Sequence, residues 1–239
     1  MPLVLQLLPV RSVVDIGCGV GSWLSVFRKL GIDDICGIDG DYVDQDLLQI
    51  PPDRFQSFDL TKPFSLGRVF DLAVSLEVAE HLPADCAAVF VACLTRLAPY
   101  VLFSAAIPFQ GGTHHVNEQW PDNWAGLFRE HDYLPVDFIR KRVWQNDGVS
   151  WWYAQNTLLF ARADLVKSNA ALGAEFEKTN PNQLSLVHPR QYLDLETVLR
   201  SQQPSPPSGV RAASRALLLC LKNAITRRFS LKMKKETHP

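Results

Sequence analysis

SVVDIGCGVGSWLSVFRKLGIDDICGID, residues 12–39, decides the fold. Val13, Val14 and Ile16 make a short β-branched run that ends in Gly17, Gly19 and Gly21, and an amphipathic segment follows with Trp23, Leu24, Phe27 and Leu30 on one face. The order is strand, glycine turn, helix. Gly31 stands where a helix C′ residue goes left-handed, and residues 35–39 form a second apolar run closing on Asp39. Together these make one βαβ unit. Backbone without Cβ atoms can turn sharply between strand and helix and approach a ligand at the helix N-terminus. An acid at the end of the second strand can accept two hydrogen bonds from a ribose diol.

A dinucleotide site wants G-x-G-x-x-G, with the third glycine one position later than Gly21. The pattern here is Asp15-x-Gly17-x-Gly19-x-Gly21. The leading carboxylate would repel a diphosphate but suits a ligand carrying an ammonium group. At these residues the sequence resembles the class I S-adenosylmethionine-dependent methyltransferases, whose first motif has the D-x-G-x-G-x-G form and whose second strand ends in a ribose-binding acid. The resemblance covers about residues 11–163. It implies an α/β, Rossmann-like doubly wound seven-stranded sheet as a core over residues 1–163, S-adenosyl-L-methionine as cofactor, and Asp15, Gly17, Gly19, Gly21 and Asp39 as its binding residues. Such enzymes usually carry more chain before the first motif, so residues 2–8, read as a helix, point to an open site or a shortened start.

The chain has 239 residues, of which 47% are hydrophobic and 21% charged, which allows one sizeable core. Its five cysteines, Cys18, Cys36, Cys86, Cys93 and Cys220, form no C-x-x-C pair and fall mostly in apolar runs, as reduced core residues do. Without a basic n-region or an apolar run near the roughly 20 residues that span a bilayer, a cytoplasmic protein is the expectation. The net charge of −1 hides an asymmetry. From Val210 onward eight basic residues face Glu236 alone, a net +7, and the preceding body carries 16 basic against 24 acidic residues, a net −8. An acidic body is a poor match for nucleic acid, whose phosphates dominate such affinity, so small-molecule or glycan acceptors are favoured.

Beyond Asp39, residues 42–50 read as a helix stopped by Pro51 and Pro52, and residues 54–58 as a third strand followed by Asp59. The family often contacts the adenine amino group from that position, which assigns Asp59 by resemblance; the residues alone allow a helix cap or turn equally. Residues 70–76 read as a fourth strand running into Glu77-Val78-Ala79-Glu80-His81, and Pro83 and Ala84 then open a helix through Leu97. Ligands of open α/β sheets bind at strand carboxyl ends, which puts Glu77, Glu80 and His81 on the functional edge. The E-V-x-E-H-L string resembles ubiquinone-biosynthesis-like O-methyltransferases and also metal-dependent small-RNA 2′-O-methyltransferases, in which such glutamates and histidine hold magnesium. Glu77, Glu80 and His81 could hold a divalent cation with a fourth ligand from elsewhere. In the plainer reading the acids cap the next helix and His81 packs under a loop.

Residues 101–107 read as a fifth strand, and the glycine-containing loop 108–117 at its carboxyl end carries His114 and His115, followed by Glu118 and Trp120. Residues 120–131 read as a helix with Trp124, Leu127 and Phe128 inward, and residues 134–144 and 157–163 as the last two strands. Trp151, Trp152 and Tyr153 cannot all face one side of a strand, so a stacking wall for a sugar or aryl acceptor and packing at the sheet edge both stay open. Residues 164–200 read as a helical extension turning at Asn180-Pro181, residues 201–209 as a proline- and serine-rich linker, and residues 210–239 as a basic tail. A tail helix at 211–229 would suit an anionic membrane or a partner enzyme; a solvated end is the alternative.

The H-H-V-N-E-Q-W-x-x-x-W-x-x-L-F pattern is similar to bacterial methyltransferases of polysaccharide and secondary-metabolite pathways. These resemblances imply O-methylation of a small-molecule or glycosyl hydroxyl, with His114 or His115 as general base and Glu77 beside them. The rivals are a metal-assisted RNA 2′-O-methyltransferase, which the acidic body disfavours, a non-catalytic cofactor-binding subunit docking on a biosynthetic partner, and a nicotinamide-dependent dehydrogenase.

Overall fold

In chain order the elements are α1 (Pro2–Leu7), β1 (Ser12–Ile16), α2 (Ser22–Lys29), β2 (Asp34–Asp39), β3 (Phe55–Ser57), β4 (Leu72–Leu76), α3 (Ala87–Leu97) and β5 (Tyr100–Ser104). They continue as α4 (Pro121–Arg129), β6 (Tyr133–Val136), α5 (Arg140–Val143), α6 (Trp151–Asn156), β7 (Leu158–Arg162), α7 (Ala163–Ser168), α8 (Ala170–Glu177) and α9 (Pro189–Gln202). The computed structural model describes residues 1–202, 214, 215 and 217–219. The linker and the tail helix expected after Arg200 fall largely outside them. The chain divides into two compact units, residues 1–193 and 194–239. No described helix is long and apolar enough to cross a membrane.

All seven strands join one sheet in the order β3-β2-β1-β4-β5-β7-β6. The first five run parallel, and β7 is antiparallel to both β5 and β6. This is the doubly wound fold expected from the glycine unit. Strand order reverses between β1 and β4, which opens a crevice at their carboxyl ends. Period-two alternation along the buried strands feeds two apolar layers. Val14, Ala73, Val101 and Phe160 face α3 and α4, through Phe90, Leu94, Trp124 and Phe128. On the opposite face Val13, Val74, Leu102 and Leu159 meet Leu24 and Phe27 of α2, Val4 of α1 and Leu172 of α8. Phe128 stacks on Phe160 with centroids 3.9 Å apart, and truncating a ring so buried costs about 3–5 kcal/mol.

Several segments depart from the pattern reading. Leu30 lies just past α2 and is 41% exposed, so the buried face of that helix is Leu24 and Phe27. Residues 42–50 form only a short 3-10 turn, Gln45–Leu47. There the Asp44 side chain accepts the Asp46 N–H, the Gln49 N–H bonds the Val20 carbonyl at 2.8 Å, and Tyr42 folds back on Asp39, so the groups a helix would need are taken elsewhere. The strand expected over 134–144 stops at Val136. Beyond it Arg140, 1% exposed, pairs with Asp137 at 2.7–2.9 Å and donates to the carbonyls of Gln155 and Leu184, a buried arrangement that requires a turn into α5. The helix expected from residue 164 breaks at Asn169, whose side chain caps α8 by accepting the Leu172 N–H at 3.1 Å. Trp151-Trp152-Tyr153 lies on α6, a helix, so its rings fan out about 100° apart instead of alternating.

Candidate active site

The turn after β1 is built by backbone that only glycine tolerates. Gly17 has φ +78°, and a Cβ there would sit 2.4 Å from a methyl carbon of Val78. The N–H groups of Gly17 and Cys18 both donate to the Ile38 carbonyl, at 2.8 and 3.2 Å, which lashes the turn to the end of β2. Gly19 then donates its N–H to Asp39 Oδ2 at 2.7 Å, while the Gly40 N–H at 2.7 Å and the Tyr42 hydroxyl at 2.5 Å donate to Oδ1. Asp39 is thereby fixed, 4% exposed, at the floor of a cleft of about 810 Å³. Gly17, Asp59, Glu77, His81 and His114 also line it. Gly21 starts α2 and packs on Ile50. Asp59 lies on the cleft in a turn, accepting the Thr61 N–H at 3.0 Å and pairing with Lys62 at 2.8 Å; these contacts, Lys62 foremost, pull its carboxyl down to about 2.

Asp15, near the end of β1, is 2% exposed, and its Oδ2 has no hydrogen-bond partner. Burial first, and then the charge of Asp39, push its carboxyl up to about 8. The folded chain therefore holds a proton that the unfolded chain, with an ordinary carboxyl value of 3.8, has released. The stability this proton confers is complete below pH 3.8 and is lost as pH rises through about 8. Asp15→Asn removes the ionisation in nearly the same shape. Melting temperatures of the ligand-free variant should exceed those of the parent at pH 8.5, by an amount corresponding to a few kcal/mol, with the gap narrowing as pH falls and closing only below pH 3.8. Parallel melting curves for the two proteins would refute the assignment.

On the facing side, Glu77 follows β4 in a left-handed conformation, φ +57°. Of the four described non-glycine residues with positive φ, Glu77, Phe109 and His114 flank this edge, a concentration of local strain that marks functional sites. The Glu77 carboxylate accepts Gln110 Nε2 at 2.9 Å and Asn156 Nδ2 at 3.2 Å, and Gln110 Oε1 accepts Asn156 Nδ2 at 2.8 Å. Burial raises its carboxyl against these hydrogen bonds. Glu80 is fully buried, its backbone carbonyl accepts the N–H groups of Val116 and Asn117, and both carboxylate oxygens lack partners. Desolvation, reinforced by Glu77, pushes its carboxyl up to about 8. The His81 and His115 rings meet edge to face with centroids 4.9 Å apart. Burial first, and then His115, lower the value of His81. His115 Nδ1 lies 3.0 Å from Glu118 Oε1, and Glu118 also accepts the N–H groups of Phe109 and Gly111. A carboxylate there selects the tautomer with the proton on Nδ1 and leaves the Nε2 lone pair free.

Ligating atoms of Glu80, His81 and His115 lie within 4.8 Å of one another. Two imidazoles and an unpartnered buried carboxylate form a donor set fit for a divalent ion. Glu77 does not join that set, because the amides of Gln110 and Asn156 hold it. Sequence reading thus places Asp39, Glu77, His81, His114 and His115 on one edge and misses Tyr42, Gln110 and Asn156. Glu118 stands three residues after His115 and was legible from that spacing. The two amides carry no such signal, being 46 residues apart.

Comparison with known proteins bears on the family and the fold. A family model described as a methyltransferase domain matches residues 2–155. No curated protein matches in sequence. Among solved structures, the sugar N-methyltransferase KedS8 from Streptoalloteichus sp ATCC 53650 superposes with a TM-score of 0.53 at 14% identity, over 67% of this chain and 84% of that one. DesVI of Streptomyces venezuelae gives 0.52 at 14% identity, over 68% and 88%. Magnesium protoporphyrin IX methyltransferase from Synechocystis PCC 6803 with bound SAH gives 0.50 at 19% identity, over 67% and 78%. At such identities the likeness is one of fold.

Proposed function

The chain belongs to the methyltransferase-domain family, and from that premise we propose that it transfers the methyl group of S-adenosyl-L-methionine to a hydroxyl of a small-molecule or glycosyl acceptor, with His115 as general base. The observation that carries the reading is Asp39, its carboxylate fixed by the Gly19 and Gly40 N–H groups at the floor of the glycine-turn cleft. The residues present fit the cofactor: Asp39 suits a ribose diol, and the unpartnered Asp15 carboxyl suits an ammonium group. The bound cofactor supplies an electrophilic methyl carbon on sulfur. In-line displacement asks the protein mainly to hold the acceptor oxygen about 3–3.5 Å from that carbon. His115 Nε2 takes the hydroxyl proton as the oxygen attacks, and Glu118 steadies the resulting imidazolium.

A second reading is favoured by the two unpartnered oxygens of Glu80. Glu80, His81 and His115 would hold a divalent ion, whose charge lowers the pKa of the acceptor hydroxyl. A ribonucleic acid acceptor fits less well, since no Lys or Arg is among the described residues lining the cleft.

Calorimetric titration of S-adenosylhomocysteine, with NAD as control, tests the cofactor class. Binding of the first in the micromolar range, and none of the second, is the expected result. A folded protein that binds neither would overturn the proposal in favour of a non-catalytic scaffold.

A further inference from the structure

Beside the cofactor cleft lies a second, smaller hollow of about 320 Å³. Glu77 and His81 line both, so the two cavities meet at these side chains. The far wall of the smaller hollow is Trp151 and Trp152, whose rings stand edge to face with centroids 5.6 Å apart at 83°. Trp152 is 37% exposed. The near wall is Glu77, Glu80, Gln110 and His115.

We propose that this hollow is the acceptor subsite, and that it takes an uncharged pyranose ring, stacked by its C–H face on the Trp151–Trp152 corner with its hydroxyls turned to the opposite polar wall. The inference rests on the methyltransferase reading and gives it a substrate class. Three observations support it. First, the walls are unlike each other, one aromatic and one made of hydrogen-bonding groups, which matches a ring with an apolar face and a polar rim. A flat aryl acceptor would leave the Glu80 carboxyl, whose two oxygens have no partner in the wall, unsatisfied. Second, no Lys or Arg is among the described residues lining the hollow, so a phosphorylated or polyanionic acceptor finds no permanent positive charge there to pair with.

Third, the wall is held in place before any ligand arrives. The helix that carries the tryptophans also carries Gln155 and Asn156, which donate to Gln110 Oε1 at 3.3 and 2.8 Å, and Asn156 reaches Glu77 as well. On its other side Tyr153 meets Trp23 of α2 edge to face, centroids 5.4 Å apart. The three consecutive aromatics thus divide their work: Tyr153 anchors the helix, and Trp151 and Trp152 face the hollow. A rigid aromatic wall loses little entropy on binding, which favours recognition of a weakly interacting neutral sugar.

The test is saturation-transfer NMR on the full chain loaded with S-adenosylhomocysteine, using methyl pyranosides of several configurations, catechol and ribose 5-phosphate as probes. At about 10 mM probe, pyranosides should bind, with the strongest transfer to protons of one C–H face, and neither catechol nor the phosphate should compete. Trp152→Ala should weaken pyranoside binding by at least about tenfold while S-adenosylhomocysteine affinity stays at the parent value, which also shows that the variant is folded. Pyranoside binding unaffected by Trp152→Ala, preference for catechol or for the phosphate, or absence of any pyranoside signal would each overturn the subsite. Failure of S-adenosylhomocysteine itself to bind is a separate result, and counts against the methyltransferase reading beneath it.

Discussion

Asp39→Ala should abolish S-adenosylhomocysteine binding to this chain, weakening it by about 10²–10⁴-fold in calorimetry, if two charge-assisted hydrogen bonds to the ribose each contribute about 1.5–3 kcal/mol. The loss has a second source. Asp39 also holds the Gly19 and Gly40 N–H groups, each at 2.7 Å, so its removal frees the turn that forms the cleft. A carboxylate has about four acceptor sites, and here Gly19, Gly40 and Tyr42 already occupy three. A ribose diol that accepts no compromise in geometry must displace the Tyr42 hydroxyl. Tyr42→Phe should therefore tighten binding about two- to fivefold, the opposite direction from Asp39→Ala. Weaker binding in Tyr42→Phe would instead make the phenol a ligand contact. Unchanged affinity in Asp39→Ala would remove the residue on which the cofactor assignment stands.

His115→Ala should lower kcat by about 10²–10⁴-fold, measured as transfer of labelled methyl to an acceptor pyranoside, with S-adenosylhomocysteine affinity within about twofold of the parent. His114→Ala should cost less than about tenfold, because His114 lines the cofactor cleft whereas His115 lines the hollow beside it and has Glu118 to orient it. Glu118→Gln separates a base from a merely structural residue. It keeps the shape but withdraws the charge that steadies the imidazolium, so kcat should fall by about tenfold or more while S-adenosylhomocysteine affinity stays at the parent value. Under the metal reading the outcomes differ. Chelation would stop turnover, a divalent cation would restore it, and Glu80→Gln would be as damaging as His115→Ala. Insensitivity to chelators together with an active Glu80→Gln variant would exclude the ion.

The sequence by itself determined the βαβ unit and, with it, the doubly wound fold and the cofactor class. These are local properties: β-branched runs, the 3.6-residue periodicity of Leu24 and Phe27, and glycines where the turn takes φ near +80° at Gly17 and Gly21. Asp39 and the pair His114 and His115 were candidates for the same reason, since a strand end and a loop end are fixed by neighbours in the chain. Residues 42–50 and 134–144 misled because contacts beyond helix or strand pairing set their course: Tyr42 folds back on Asp39 and Gln49 reaches Val20 in the first, and the Arg140 side chain reaches Gln155 and Leu184 in the second. Tertiary structure alone decided that Glu77 belongs to the amides of Gln110 and Asn156, 33 and 79 residues away, and not to the set formed by Glu80, His81 and His115. It also decided that the three aromatics lie on a helix and face two ways. Periodicity records which face of an element is buried; it carries no record of which buried polar group will satisfy another, because that depends on how separate elements meet once the core has closed.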